Sequence, residues 1–216
     1  MQITIAEQDP LSTVLPTPKR IMDLAISVCL LIALSPLMML LIAIARLDGG
    51  PAFYAHRRVG RNGREFSCLK FRSMVTNGDT VLARHLQNDP IALQQWQESR
   101  KLNDDPRITR IGRWLRKTSM DELPQLINVI YGDMSLVGPR PVTRSELDQH
   151  YGIMAARYLR VRPGITGPWQ IGGRSNTSYR QRVEMDSEYA QHDDLLRDIG
   201  ILVRTPFAVF ACRGSR

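Results

Sequence analysis

Asp121 and Glu122 are adjacent carboxylates within an acidic island: residues 118–137 contain no Lys or Arg and three acids, Asp121, Glu122 and Asp133. On either side the sign reverses. Residues 46–76, 100–117 and 138–180 each carry seven Lys or Arg against two acids. Carboxylates set between arginine-rich segments suit a divalent metal and a phosphorylated ligand whose remaining charge the guanidinium groups neutralise. A plainer reading stands beside this one. Ser119-x-x-Glu122 matches a capping box, in which Glu122 only satisfies a helix N-terminus, and an acid at Asp121 would be favoured there by the helix dipole. The arginines in turn could form a solvated face or attract anionic lipid.

The whole-chain numbers narrow the choice. The net charge of +8 predicts an anionic partner. Nucleic acid is not the expected one, because the basic segments lack the aromatic interleaving of single-strand binders and no DNA-reading motif is visible. Apolar residues make up 43% of 216, which excludes a disordered chain and supports one domain with at most a modest appendage. Cys29, Cys68 and Cys212 are odd in number and far apart, so neither a disulfide framework nor a Cys-x-x-Cys site can be built, and a reducing, cytosol-facing compartment fits. His56, His85, His150 and His192 have no ligand-like spacing. Asp104-Asp105-Pro106 reads as a turn and Asp193-Asp194 as a solvated helix face.

The elements that must position these residues begin with an apolar segment. Leu24–Ala45 is 22 residues without a charge, long enough on paper to cross a bilayer needing ~20. Pro36 spoils a simple span, since it has no N–H to donate and its ring crowds the preceding turn. The halves on either side of Ser35-Pro36 are 11 and 9 residues, or roughly 16 Å and 14 Å, and neither crosses a ~30 Å hydrocarbon core. Positive residues flank both ends, with Lys19 and Arg20 before and Arg46, Arg57 and Arg58 after, so no inside and outside is marked. A re-entrant helical hairpin broken at Ser35 and Pro36 is the leading expectation, ahead of a Pro-kinked full span and a buried soluble helix.

Around that segment we expect a flexible leader over 1–18, a membrane segment over 19–50 and a catalytic body over 51–216. Ala52–Met74 has short alternating runs around Arg61-Asn62-Gly63, a hairpin signal. Helical patterns cover 79–101, interrupted at Asp89-Pro90, then 112–117 and 121–131, the last with Pro124 in its first turn. Gly138–Gly173 is turn-rich, and one amphipathic helix is predicted from Tyr179 to Phe210. The expected class is α+β, mainly helical, with a short β-hairpin.

An ordered series of motifs then gives a resemblance. Lys19-Arg20-x-x-Asp23, Ser35-Pro36, Arg57-Arg58-Val59-Gly60-x-Asn62-Gly63-x-x-Phe66, Lys70-Phe71-Arg72-Ser73-Met74, the run from Asp105 to Pro141 and Arg162–Gln170 are similar to the bacterial sugar transferases that prime polysaccharide synthesis, the monotopic phosphoglycosyl transferases. The resemblance covers nearly everything from Lys19 to about Arg204, and the chain looks like the short form. It implies transfer of a sugar 1-phosphate from a UDP-sugar to polyprenyl (undecaprenyl) phosphate with release of UMP. It further implies Asp121 as the nucleophile that forms a covalent phosphosugar intermediate, Glu122 as the Mg²⁺ ligand, and Arg116, Lys70, Arg72, Arg140 and Arg162 as phosphate-binding residues. The setting implied is the bacterial inner (cytoplasmic) membrane, with the catalytic body facing the cytoplasm. Glucose or galactose is the expected sugar, and a homo-oligomer is left open.

The residues fit that chemistry. A carboxylate of ordinary pKa ~3.9 is ionised at neutral pH and needs no general base. Its obstacle is repulsion by a diphosphate, which Mg²⁺ and nearby Arg or Lys remove. Two competing functions remain at this stage: a non-catalytic membrane-surface module binding anionic lipid or nucleic acid, and a Mg²⁺-dependent hydrolase of nucleotide sugars.

Overall fold

A computed structural model describes residues 17–47, 49–99, 102–172, 178–191 and 194–210. The expected leader up to residue 16, Asp48, Gly173-Arg174-Ser175, His192, Asp193 and Cys212 lie outside the described residues. Helix α1 (Pro18–Ala45) starts where Thr17 Oγ1 accepts the Arg20 N–H at 3.3 Å and Pro18 occupies the first turn. It is one helix of 28 residues with Pro36 inside it, where the sequence predicts two short helices joined by a break. The physical reason is local. Pro36 leaves the Ile32 carbonyl, four residues back, without its N–H partner, and the Ser35 hydroxyl donates to that oxygen at 2.8 Å.

A single stripe of α1 (Asp23, Ser27, Met38, Leu41) is buried against the rest of the protein. The other faces are apolar and bare: the most apolar 18-residue window has a mean hydropathy of 2.8 and is only 11% buried. Both ends are tied down. Asp23 accepts from Ser135 Oγ at 2.8 Å and from Leu136 N at 3.0 Å, and Lys19 pairs with the buried Asp198 and donates to Tyr189 Oη and the Val137 carbonyl. At the other end Met38 and Leu41 pack on Phe71 and Leu115, while Arg72 donates to the Ala45 carbonyl at 2.6 Å.

The expected hairpin forms from β1 (Phe53–Val59) and β2 (Glu65–Phe71), antiparallel with Phe53 opposite Phe71 and Val59 opposite Glu65. Its turn needs two left-handed residues, and Asn62 (φ 58°) and Gly63 (φ 77°) supply them. Helices α2 (Gly78–Asn88) and α3 (Pro90–Ser99) follow, divided at Asp89-Pro90 as the sequence predicts. Then come α4 (Arg110–Lys117), a 3₁₀ turn over Met120–Glu122, and α5 (Gln125–Tyr131). The predicted helix over 121–131 is therefore two pieces. Asp121 and Glu122 sit on the 3₁₀ turn before α5, and Pro124, expected in the helix's first turn, is its N-cap.

The turn-rich stretch contains a second sheet that the sequence reading does not foresee. Strands β3 (Ser135–Val137) and β4 (Gly164–Thr166) pair in parallel across a connection holding α6 (Arg144–His150), a 3₁₀ turn over Gly152–Met154, and α7 (Ala155–Tyr158). Three-residue strands carry too little alternation to register as a pattern. Backbones here meet at glycines: a Cβ on Gly164 would lie 2.1 Å from Gly138 N, and one on Gly138 would lie 2.4 Å from the Arg162 carbonyl. The predicted C-terminal helix is likewise two, α9 (Tyr179–Gln191) and α10 (Leu195–Phe210), after the short α8 (Pro168–Gly172). One core gathers Phe66, Leu126, Val129, Met134, Leu136, Val137, Tyr189 and Ile201; a second gathers Val59, Val142, Leu147, Tyr151, Tyr158 and Val183. The class is mainly helical α+β, as expected.

Candidate active site

Ser119 does not cap the turn that carries the two acids. It adopts a left-handed conformation (φ 57°), its side chain makes no capping bond, and only its carbonyl accepts from Glu122 N at 3.2 Å. The Glu122 side chain turns instead to β2, where Lys70 Nζ donates to its Oε1 at 2.7 Å and lies 3.6 Å from Asp121 Oδ2. The capping-box reading of Ser119-x-x-Glu122 is thereby replaced. A true capping box occurs elsewhere, between Thr143 and Glu146 at the start of α6.

Asp121 is 7% exposed. Burial raises its pKa, helped by Glu122 and opposed by Lys70 and Arg116. For Lys70, burial alone would lower the pKa, but Glu122 and Asp121 together outweigh it, and the ammonium is held charged. Cys68 lies near Lys70, and burial pushes its thiol up to about 11, so it stays protonated and is no rival nucleophile.

Arg116, on α4, acts electrostatically on Asp121. Thr109 caps that helix, its Oγ1 accepting from Gly112 N at 2.9 Å while its own N–H donates to the Ser73 carbonyl at 3.1 Å. One turn further on, Arg116 Nε donates to Ser73 Oγ at 2.8 Å. Only glycine fits at 112, because an added Cβ would lie 1.9 Å from the Ser73 carbonyl oxygen.

These groups open onto a cavity of about 1310 Å³. Its cations are Arg58, Lys70, Arg72, Arg107, Arg116, Arg140 and Arg182; its acids are Asp79, Asp121 and Glu122. Its apolar wall comes from Leu30, Leu34 and Leu37 of α1 together with Leu202 and Val209 of α10. A single space thus joins the bare apolar helix to the buried carboxylate. Such a space can take a ligand with an anionic head and an apolar tail.

A family model described as bacterial sugar transferase matches residues 14–212. The chain belongs to the bacterial sugar transferase family. It is 52% identical over 198 residues to the exopolysaccharide production protein ExoY of Sinorhizobium fredii, covering 91% of this chain and 87% of that relative. It is 50% identical over 197 residues to an undecaprenyl-phosphate galactose phosphotransferase of Salmonella typhimurium, covering 91% of this chain and 41% of the relative. An undecaprenyl-phosphate glucose phosphotransferase of Komagataeibacter xylinus is 42% identical over 216 residues, covering 94% and 38%.

Of the sugar transferase's sequence-predicted residues, Lys70, Arg116, Asp121 and Glu122 come together, and Arg140 lines the same cavity. Arg72 also lines it, while its Nε donates to the Pro51 carbonyl at 2.6 Å and it holds the end of α1 at Ala45. Arg162 is placed elsewhere. It does not line the cavity; its Nε donates to the Gly132 carbonyl at 2.8 Å. Alongside it Arg20 donates to the Val129 and Ile130 carbonyls, so the two arginines serve the C-terminus of α5.

Sequence reasoning missed Arg182, Trp169, Ser73, Arg58 and His56, which line the cavity as well. They come from four separate elements or loops, and only His56 and Arg58 share one, two residues apart on β1. Trp169 sits within the quoted Arg162–Gln170 motif without a chemical signature of its own. His56, read as ordinary, lies 3.0 Å from Arg58, and burial with that guanidinium lowers its pKa. No group of three or more His, Cys, Asp or Glu able to hold a metal exists among the described residues. Mg²⁺ still fits the donor set, because it is commonly held by one or two carboxylates plus substrate phosphates, and Glu122 beside Asp121 offers hard oxygen donors.

Proposed function

We propose that this sugar transferase moves a hexose 1-phosphate from a UDP-sugar to undecaprenyl phosphate, releasing UMP, as the priming step of exopolysaccharide or related glycan synthesis. The observation that carries the reading is the single cavity joining Asp121, Lys70 and Arg116 to the apolar face of α1. Two relatives, an undecaprenyl-phosphate galactose phosphotransferase and an undecaprenyl-phosphate glucose phosphotransferase, support the same class of substrates.

Asp121 is the nucleophile. Its carboxylate forms a bond to the β-phosphorus of the UDP-sugar, the bond from that phosphorus to the bridging oxygen breaks, and the electron pair leaves on UMP. Polyprenyl phosphate then displaces Asp121 from the phosphosugar intermediate. Lys70 and Arg116 oppose the rise that burial gives the Asp121 carboxyl and hold phosphate oxygens, Arg116 being fixed by Ser73. Glu122, with phosphate oxygens of the substrate, would hold Mg²⁺, which when bound neutralises charge on the diphosphate.

The protein is read as monotopic, in the bacterial cytoplasmic membrane with its catalytic body in the cytoplasm. Docking of both ends of α1, and of one stripe between them, on the same charged body supports a helix that bends at Pro36, entering one leaflet and returning to the same face.

The test is purified full-length protein in nanodiscs with UDP-glucose or UDP-galactose, Mg²⁺ and polyprenyl phosphate, following UMP and lipid-linked sugar. UMP release beyond one equivalent per enzyme should require both the lipid and the metal and should stop on addition of EDTA. Sustained UMP turnover without lipid acceptor would identify a hydrolase, and binding without UMP a non-catalytic membrane module. Asp121→Asn should abolish turnover while remaining folded and membrane-bound. Activity within tenfold of wild type would remove Asp121 as nucleophile.

A further inference from the structure

The cations of the cavity are held in different ways: Ser73 Oγ accepts from Arg116, the Pro51 and Ala45 carbonyls accept from Arg72, and three others face carboxylates. Lys70 faces Glu122 and Asp121, Arg58 pairs with Glu146 at 2.8 Å, and Arg107 makes a two-pronged pair with Asp105 at 2.9 and 2.7 Å. Arg140 and Arg182 are different. Both guanidinium groups stack on one indole, that of Trp169, at 5.0 Å and 4.1 Å from its centroid, and Arg182 also covers Tyr179 at 4.9 Å. Among the described residues neither makes an ion pair, and the buried Arg182 Nε and Tyr179 hydroxyl have no hydrogen-bond partner.

Both arginines interact with Asp186, which is fully buried and accepts from Tyr151 Oη at 2.8 Å and from the Arg140 backbone N–H, and Arg140 interacts also with Glu146. Burial pushes that carboxyl up to about 7, so its compensation at neutral pH is partial. Each arginine lowers the pKa of Asp186, and Arg140 also lowers that of Arg182. Two half-buried like charges held together on an aromatic platform and facing a cavity make a seat for an anion with more than one negative oxygen.

The chemistry of the proposed reaction says which anion. Resting on that reading, two displacements occur at one phosphorus through one carboxylate. The group that leaves in the first, UMP, and the group that attacks in the second, polyprenyl phosphate, are both phosphate monoesters. Each must stand across the phosphorus from the Asp121 oxygen for in-line displacement. In the first step UDP-sugar (2−) and the carboxylate (1−) become the phosphosugar ester (1−) and UMP (2−). In the second, an oxygen of the lipid phosphate forms the new diphosphate bond as the bond to Asp121 breaks and the carboxylate is restored. No other reactant is needed.

We propose that Arg140 and Arg182, carried on Trp169, form a single phosphate-monoester seat that holds departing UMP in the first displacement and the incoming polyprenyl phosphate head in the second. Arg182 and Trp169 are thereby binding residues for the acceptor as well as the donor.

The test compares wild type with Arg182→Gln, and with Arg182→Lys as a variant that keeps the charge but not the fork. The assays on full-length protein in nanodiscs are UMP affinity by calorimetry and the KM for polyprenyl phosphate. Both should weaken together by about tenfold or more in Arg182→Gln, the 1.4 kcal/mol of one charged contact, and recover in parallel in Arg182→Lys. Loss of UMP affinity with an unchanged lipid KM, or the reverse, would overturn the shared seat, as would no change in either. A wild-type protein that gives no lipid-dependent UMP would sink the transfer reading instead. UMP affinity would still read the seat in that case, and an affinity indifferent to Arg182 would overturn it.

Discussion

Gly112→Ala tests how strictly packing governs the site, because residue 112 touches no substrate group yet sets the position of Arg116. The added Cβ would lie 1.9 Å from the Ser73 carbonyl oxygen, 2.6 Å from its carbon and 2.8 Å from its Cα. All three are backbone atoms, so no rotamer change relieves the clash. Real contacts of this kind essentially never fall below 3.0 Å, so α4 and the Ser73 loop must separate by at least about 1.1 Å. Overpacking of that kind costs roughly 1–3 kcal/mol. It also carries Arg116, one turn along the same face, away from Ser73 Oγ and from Asp121. A misplacement of ~1 Å of a positioning group costs about 10²-fold in rate. We expect Gly112→Ala to lower UMP release by about 10²-fold and the denaturation midpoint measurably. Gly200→Ala is the control: nothing lies within 4 Å of its added Cβ, and in the interior of α10 it should stabilise by ~1 kcal/mol. Activity of Gly112→Ala within threefold of wild type would refute the argument that the close approach of α4 to Ser73 positions Arg116.

Three further outcomes are expected. In a cysteine-free background, single cysteines at Thr17 and Gly49, on the two sides of α1, should be labelled by an impermeant maleimide from the same face of sealed vesicles; labelling from opposite faces would establish a full span. Arg162→Gln should cost ~1–2 kcal/mol of stability by exposing the Gly132 carbonyl, with the KM for UDP-sugar within twofold of wild type; a tenfold rise in KM at unchanged stability would return Arg162 to the substrate site. Asp186 is raised by burial from 3.8 to about 7, so between those values the unfolded chain releases its proton first and folding stability falls as pH rises, by at most ~1.4 kcal/mol per pH unit. The stability of Asp186→Asn relative to wild type should therefore grow from pH 4 to pH 7 and stay level above it, measured by denaturation in detergent, and a pH-independent difference would contradict this.

The ordered motifs were enough to give the family, the reaction class expected of it and the pairing of Asp121 with Glu122 as chemistry-bearing residues. Local patterns did the same for the Asn62-Gly63 hairpin, for the division of α2 from α3 at Asp89-Pro90 and for the apolar length of α1, because each depends on residues near one another in the chain. Tertiary structure decided the rest. Ser119-x-x-Glu122 satisfied the capping pattern, but Lys70, 52 residues away on β2, competes for the Glu122 carboxylate and wins it. Arg162 lies in a basic stretch and Arg182 just beyond it, and nothing in the sequence separates their roles. Backbone carbonyls at the end of α5 claim the first, and an indole beside the cavity claims the second. Pro36 is a local exception: α1 runs through it, and the Ser35 hydroxyl donates to the carbonyl it leaves bare. A side chain's type fixes which bonds it can make; which of them it makes depends on what long-range packing brings within about 3 Å, and that distance is not written in the order of residues.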